Sequence, residues 1–127
     1  MIVAGVGCRR GTSAEEVERV VTMALDTFRV ARGTLDAIAT DAVKTAEPGI
    51  AEAARRLSVA VVGCAKQDLA RVADAVLTPS VLVLETTGVP SIAEAAAIVV
   101  AGRNARLLGA RVATLRATCA IAIGDGR

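Results

Sequence analysis

The sequence predicts an α/β domain of three layers, with helices on both faces of a mainly parallel, mixed sheet. Three observations predict it. Short apolar runs suited to buried strands alternate with segments of helical periodicity through the first three units. The first run passes into a glycine-bearing turn that opens directly onto a helix start signal. The last two strand-like runs, 105–108 and 118–123, follow one another with no helix between them, which makes the sheet mixed. A chain of 127 residues, 54% hydrophobic and 22% charged, is expected to fold as one globular domain over residues 1–127.

Residues 2–6, Ile-Val-Ala-Gly-Val, read as the first strand, and Gly5, Gly7 and Gly11 as a glycine-rich turn carrying Cys8, Arg9 and Arg10. Ser13 and Glu16 stand at capping-box spacing, where a hydroxyl and a carboxylate satisfy the first N–H groups of a helix. Val17, Val20, Val21, Ala24, Leu25 and Phe28 then recur on one helical face, and Arg32-Gly33 ends the helix. Residues 35–40 read as the second strand, with Asp41 just past its end and a polar loop over 42–49. A short helix over 50–57 exposes Arg55 and Arg56, and a buried strand over 59–62 stops at Gly63-Cys64. Another short helix covers 67–73. The segment 80–87 is ambiguous: Val81, Leu82, Val83 and Leu84 favour a strand by propensity, yet so short a run also suits a buried helical turn. Gly88-Val89-Pro90 breaks it, and Ser91 with Glu94 forms a second capping box opening an alanine-rich helix that ends at Gly102. Arg111 and Arg116 fall in a loop or ragged hairpin between the closing strands.

Composition narrows the function. Phe28 is the only aromatic residue, which argues against single-stranded nucleic acid, whose bases stack on aromatic rings. A net charge of +2 is too small to mark a DNA-binding or membrane-surface protein. The apolar stretch 91–102 is about half the roughly 20 residues that span a membrane, and no signal peptide is read at the N-terminus. Neither nucleic acid nor membrane is an expected partner. Cys8, Cys64 and Cys119 are scattered, with no CxxC, and read as free thiols in a reducing cytoplasm. The absence of histidine excludes a Ser-His-Asp triad, a Cys-His pair and any zinc site using histidine; no metal and no cofactor is expected.

In open α/β sheets ligands lie beyond the carboxyl ends of the strands, so the 7–13 turn, the 41–49 loop and Gly63-Cys64 should share one rim. Gly7, Cys8, Arg9, Arg10, Gly11, Thr12 and Ser13 combine backbone N–H groups, a helix N-terminus and two guanidinium groups, a setting for a carboxylate or phosphate. The plainer reading is a tight strand-to-helix connection with solvated arginines. Cys8 is a candidate nucleophile, its thiol pKa lowered by the helix N-terminus and the arginines, or else a small buried residue; Cys64 and Cys119 read as core. Lys44 and Glu47 either orient a ligand carboxylate and move a proton, with Glu47 a candidate catalytic group, or form an idle surface pair. Ser91 and Glu94 are most simply a helix cap, with ligand contact as the alternative. Gly5, Gly7 and Gly11 come near a dinucleotide fingerprint, but the glycine spacing is off and Asp41 lies about ten residues late for it. A third class, a docking subunit, would use the apolar run 81–84 as its interface.

Four stretches carry a family likeness: Gly5-Val6-Gly7-Cys8-Arg9-Arg10-Gly11-Thr12-Ser13 with Glu16; Lys44-x-x-Glu47-x-Gly49; Gly88-Val89-Pro90-Ser91-Ile92-Ala93-Glu94-Ala95-Ala96-Ala97; and Thr118-Cys119-Ala120-Ile121-Ala122. In these the chain resembles the CobE / CbiG C-terminal domain family of cobalamin (corrin ring) biosynthesis, over nearly its whole length and in the family's order. The family's basic turn before the last strand corresponds here to residues 109–116, where Arg111 and Arg116 take over part of that role. The resemblance implies a precorrin or corrinoid ligand, with Arg9, Arg10, the 7–13 backbone and Lys44 gripping its acetate and propionate carboxylates and Glu47 across the cleft. For CbiG proteins it implies opening of a cobalt-precorrin lactone with release of acetaldehyde. The likeness is to their C-terminal part alone, so the expectation for this chain is binding, hand-over or assistance among other cobalamin-pathway enzymes, not independent hydrolysis.

Overall fold

The computed structural model describes residues 1–78 and 91–126. The ambiguous segment 80–87, the break at Gly88-Val89-Pro90 and the apolar run 81–84 lie outside the described residues. The elements in chain order are β1 (Ile2–Cys8), α1 (Ala14–Thr27), β2 (Ala37–Asp41), α2 (Pro48–Leu57), β3 (Ala60–Cys64), α3 (Lys66–Arg71), α4 (Ile92–Ala101), β4 (Arg106–Leu107), β5 (Val112–Ala113) and β6 (Ala117–Ile123).

The sheet runs β3-β2-β1-β6-β4, with β5 also paired to β6. β1, β2 and β3 are parallel, as crossovers through α1 and α2 require. β6 is antiparallel to β1, β4 and β5, so every described strand except β6 points the same way. The mixed α/β sheet follows from one reversal: the chain turns back after β5 without an intervening helix.

Alternation along the strands sorts side chains into two cores. Ala4, Val6, Ile38, Cys119 and Ile121 pack against Val17, Val20, Val21 and Leu25 of α1 and Ile50 and Ala53 of α2. Val3, Ala37, Ala39, Cys64 and Ala122 pack against Ala96, Ala97 and Val100 of α4 and Leu69 of α3. The alanines of α4 let that helix lie almost on the sheet. A Cβ built on Gly5 would stand 1.8 Å from the carbonyl oxygen of Ala93. Gly5 is therefore a close-approach residue inside a strand, not a turn residue, and β1 runs on to Cys8.

Other boundaries shift for identifiable reasons. α1 stops at Thr27, with the Phe28 N–H bonded to Ala24 and Asp26, before a separate 3-10 turn at Arg32–Thr34. The expected loop 42–49 holds a 3-10 turn, Ala42–Lys44, capped by the Asp41 carboxylate; Pro48 occupies the first helical position of α2, where its missing N–H costs nothing. β3 pairs only with β2 among the described strands, and its residues before Cys64 are exposed or half-exposed rather than buried. The stretch 109–116 contributes the short strand β5. Among the described residues no helix is long and apolar enough to cross a membrane.

Candidate functional site

A cleft of about 490 Å³ opens at the carboxyl end of β1 and β2. Gly7, Cys8 and Arg9 come from β1 and its exit, and Asp41, Val43 and Lys44 from the end of β2 and the turn after it. Ile92 opens α4 beneath it, and Arg111, Thr114, Leu115 and Arg116 form the facing wall, which runs on into Ala117 and Thr118 of β6. Four cations, Arg9, Lys44, Arg111 and Arg116, line it against one carboxylate among the described residues, Asp41. Val43 (79% exposed) and Leu115 (86% exposed) are unusually open for apolar side chains, and both stand in this lining.

The glycine turn is built differently from an open cradle of N–H groups. The Arg9 N–H donates to the Arg116 carbonyl at 2.9 Å and the Thr12 N–H to the Arg9 carbonyl at 3.2 Å. The Gly11 N–H donates to the Glu47 carboxylate. Gly11 holds φ +77°, a conformation that favours glycine. The buried Thr12 hydroxyl donates to the Arg9 carbonyl at 2.6 Å, and the Ser13 hydroxyl accepts from the Glu16 N–H at 3.2 Å. Three of the N–H groups expected for a ligand, those of Arg9, Gly11 and Thr12, are thus spent within the fold.

The structure separates residues that the sequence groups together. Arg9 lines the cleft, whereas Arg10 is exposed outside the lining and its carbonyl accepts from the Arg116 guanidinium at 2.9 Å. Lys44 lines the cleft, but Glu47 lies with Gly11, Thr12 and Ser13 in a second depression on the α1–α2 side, beside Glu15 and Glu52. A carboxylate on the Gly11 N–H occupies the place a pyrophosphate would need, which argues against the dinucleotide reading. Asp41, its other support, uses its carboxylate to cap Val43 at 3.1 Å. Gly63-Cys64 ends β3 at the same rim but stays out of the cleft lining, and the Cys64 side chain is buried.

Cys8 ends β1 and is five residues short of the α1 N-cap, Ser13. Burial pushes its thiol pKa up, Lys44 pulls it down and Glu47 adds to the rise; the net shift is upward, against the lowering expected from the sequence. Cys119 is wholly buried and its thiol is pushed up by desolvation alone.

Both serine caps form: Ser13 accepts from the Glu16 N–H, and the buried Ser91 accepts from the Glu94 N–H at 3.4 Å. The glutamates turn elsewhere. Glu16 accepts from the Thr114 hydroxyl and the Arg116 N–H, each at 2.7 Å, and these bonds hold its pKa below the ordinary value. The fully buried Glu94 accepts from the Leu77 N–H, the Thr78 N–H at 2.9 Å, the Thr78 hydroxyl and the Arg111 N–H at 3.0 Å. Burial opposes its ionisation, but those bonds outweigh it and its pKa is lowered. Neither Ser91 nor Glu94 lines the cleft. The sequence reading left Asp41, Val43, Ile92, Thr114, Leu115, Ala117 and Thr118 out of the site, and it gave Arg111 and Arg116 only as the counterpart of a basic turn; the apolar and hydroxyl side chains gave no signal by type, and only the meeting of distant segments makes all of these neighbours.

Comparison with known proteins places this arrangement in a family. The family model "Cobalamin synthesis G C-terminus" matches residues 2–122. The chain is 36% identical over 121 residues to protein CobE of Sinorhizobium sp., covering 95% of this chain and 79% of the relative. It is 30% identical over 104 residues to cobalt-precorrin-5A hydrolase of Priestia megaterium, covering 82% of this chain but only 27% of that enzyme. The crystal structure of CobE, a protein from the cobalamin (vitamin B12) biosynthetic pathway, superposes with a TM-score of 0.92 at 36% identity, covering all of this chain and 92% of that one. The cobalamin biosynthesis protein chiG from Agrobacterium tumefaciens matches with a TM-score of 0.78 at 36% identity, covering 98% and 99% of the two chains. With the fold, the rim and these matches together, the chain belongs to the CobE / CbiG C-terminal domain family and is a cobalamin biosynthesis protein of that type.

Proposed function

We propose that this protein binds a precorrin or corrinoid intermediate by its carboxylates, for hand-over to, or assistance of, other enzymes of the cobalamin pathway. The observation that carries the reading is the joint lining of one cleft by Arg9, Lys44, Arg111 and Arg116 with the open side chains of Val43 and Leu115. A tetrapyrrole-derived ring presents an apolar face and a rim of acetates and propionates. Guanidinium groups take such carboxylates through paired, charge-assisted hydrogen bonds, and exposed apolar side chains gain by covering the ring. Cys8, Cys64 and Cys119 form no disulfide with one another, which fits a reducing cytoplasm.

The test is a visible-absorbance titration of the protein with hydrogenobyrinic acid and its tetrapyrrole precursors, with NAD and ATP as controls. Losing one charge-assisted contact costs about 1.5–3 kcal/mol, so Arg9→Ala should weaken binding by about tenfold or more. Arg10→Ala, outside the lining, should change it far less. Folded protein that binds none of the tetrapyrroles overturns the reading. The likeness to cobalt-precorrin-5A hydrolase supports a second reading, lactone-hydrolase-type activity with a partner domain. Its signature would be acetaldehyde released from a cobalt-precorrin lactone only when that partner is added.

A further inference from the structure

We propose that Glu16 and Glu94 are positioning residues: from opposite faces of the sheet, their carboxylates hold the backbone of the 111–116 wall so that Arg111 and Arg116 face Arg9 and Lys44 across the cleft. The inference rests on the corrinoid-binding reading and assigns the residues that shape its site.

Both glutamates occupy the position in a helix start where a carboxylate normally turns back to the cap. Here the serine half of each box is made, while each carboxylate reaches a wall more than a dozen residues away in sequence. Glu16 approaches from α1, on the face of the first core, and takes the Arg116 N–H and Thr114 hydroxyl on one oxygen, Oε2. Glu94 approaches from α4, on the other face, and takes the Arg111 N–H on Oε2. Just before these anchors the ladder is interrupted: β4 and β5 pair the same strand, but four residues, 108–111, stand opposite two, Ala120 and Ile121, with only the Leu108 N–H donating across, to the Ile121 carbonyl at 2.9 Å. The short strand β5 and the Thr114 N–H, which donates to the Ala117 carbonyl at 2.8 Å, fix the middle of the wall, while the N–H groups at its two ends, Arg111 and Arg116, fall outside the β5 pairing and are taken by the carboxylates. Arg116 is then stitched to the opposite wall, its carbonyl accepting from the Arg9 N–H and its guanidinium donating to the Arg10 carbonyl. A rigid arginine pair loses less freedom on binding than a mobile one, which is how remote carboxylates can raise affinity for an anion.

Glu16 is the residue to probe, because it is half-exposed and can be replaced without opening the core. One oxygen does its work, so Glu16→Gln, whose amide oxygen can take both donors, should preserve the clamp while removing the charge. Glu16→Ala removes both. Two measurements on the full chain separate the questions: amide hydrogen exchange at Arg116 without ligand, and the titration with hydrogenobyrinic acid. Arg116 exchange should speed up by about tenfold or more in Glu16→Ala and stay near wild type in Glu16→Gln. Affinity should fall by about tenfold in Glu16→Ala and be retained in Glu16→Gln. Unchanged exchange in a folded Glu16→Ala overturns the clamp. Altered exchange with unchanged affinity overturns its role in binding, and a Glu16→Gln as weak as Glu16→Ala shows that charge, not position, is what matters. If the wild type binds no tetrapyrrole, the corrinoid reading falls and the role in binding falls with it, while the exchange result still decides the clamp.

Discussion

At Cys8 the local sequence and the folded environment pull in opposite directions. Its neighbours Gly7, Arg9 and Arg10 suggest an activated thiol, yet burial outweighs Lys44 and raises the pKa above the ordinary 9.0. The thiolate is therefore scarce at neutral pH. Alkylation of Cys8 by iodoacetamide should be slow at pH 7 and accelerate only as the pH passes the ordinary thiol value; mass spectrometry of the labelled peptide would show it. Fast labelling at neutral pH would contradict this environment. Gly5 makes the second prediction at this scale. A methyl group placed 1.8 Å from the Ala93 carbonyl oxygen must push α4 off the sheet. Overpacking of this kind costs about 1–3 kcal/mol or more, so Gly5→Ala should lower the urea midpoint clearly, and an unchanged midpoint would refute the close approach. Arg9 and Arg10 show the limit of residue-level reading. Two adjacent arginines look equivalent in the sequence, but the first faces the cleft and the second stands outside its lining.

The helix starts are where element-scale reasoning succeeds and then falls short. Spacing alone located Ser13 and Ser91 as caps, because the hydroxyl–N–H bond is made within four residues and needs no distant partner. Ser13→Ala should accordingly cost about 1 kcal/mol in chemical denaturation. The destinations of Glu16 and Glu94 were not legible, since their partners Thr114, Arg116, Leu77, Thr78 and Arg111 are brought to them by the sheet. Their lowered pKa values carry a pH prediction. A carboxylate whose folded pKa lies below its ordinary 4.5 stabilises the fold above that pH, and the contribution is lost as pH falls through the lowered value. Stability should be level near neutrality and decline on acidification below about pH 4.5, with a shallower decline in Glu16→Gln. Urea midpoints across that range would measure it, and identical slopes for the two proteins would refute it.

Across the whole molecule, the electrostatic character of the cleft is a product of assembly. A net charge of +2 predicts little, but the fold gathers four cations and, among the described residues, one carboxylate in the lining of one cleft. Binding of a polycarboxylate there should weaken steadily with added salt, because screening shortens the reach of these charges to about 8–10 Å at physiological ionic strength. Titrations over a salt series check this, and salt-independent affinity would point to apolar contact alone. The sequence by itself determined the alternation of strands and helices, the two serine caps, the mixed sheet and the carboxyl-end rim. All of these rest on interactions between residues near in the chain or on the chirality and connection rules that govern them. Only the tertiary structure decided which cations share the cleft, that Glu47 satisfies the Gly11 N–H, and that Glu94 is buried against the wall. Those contacts join residues far apart in the chain, and such distances are settled by how α1 and α4 pack on the two faces of the sheet rather than by any local pattern.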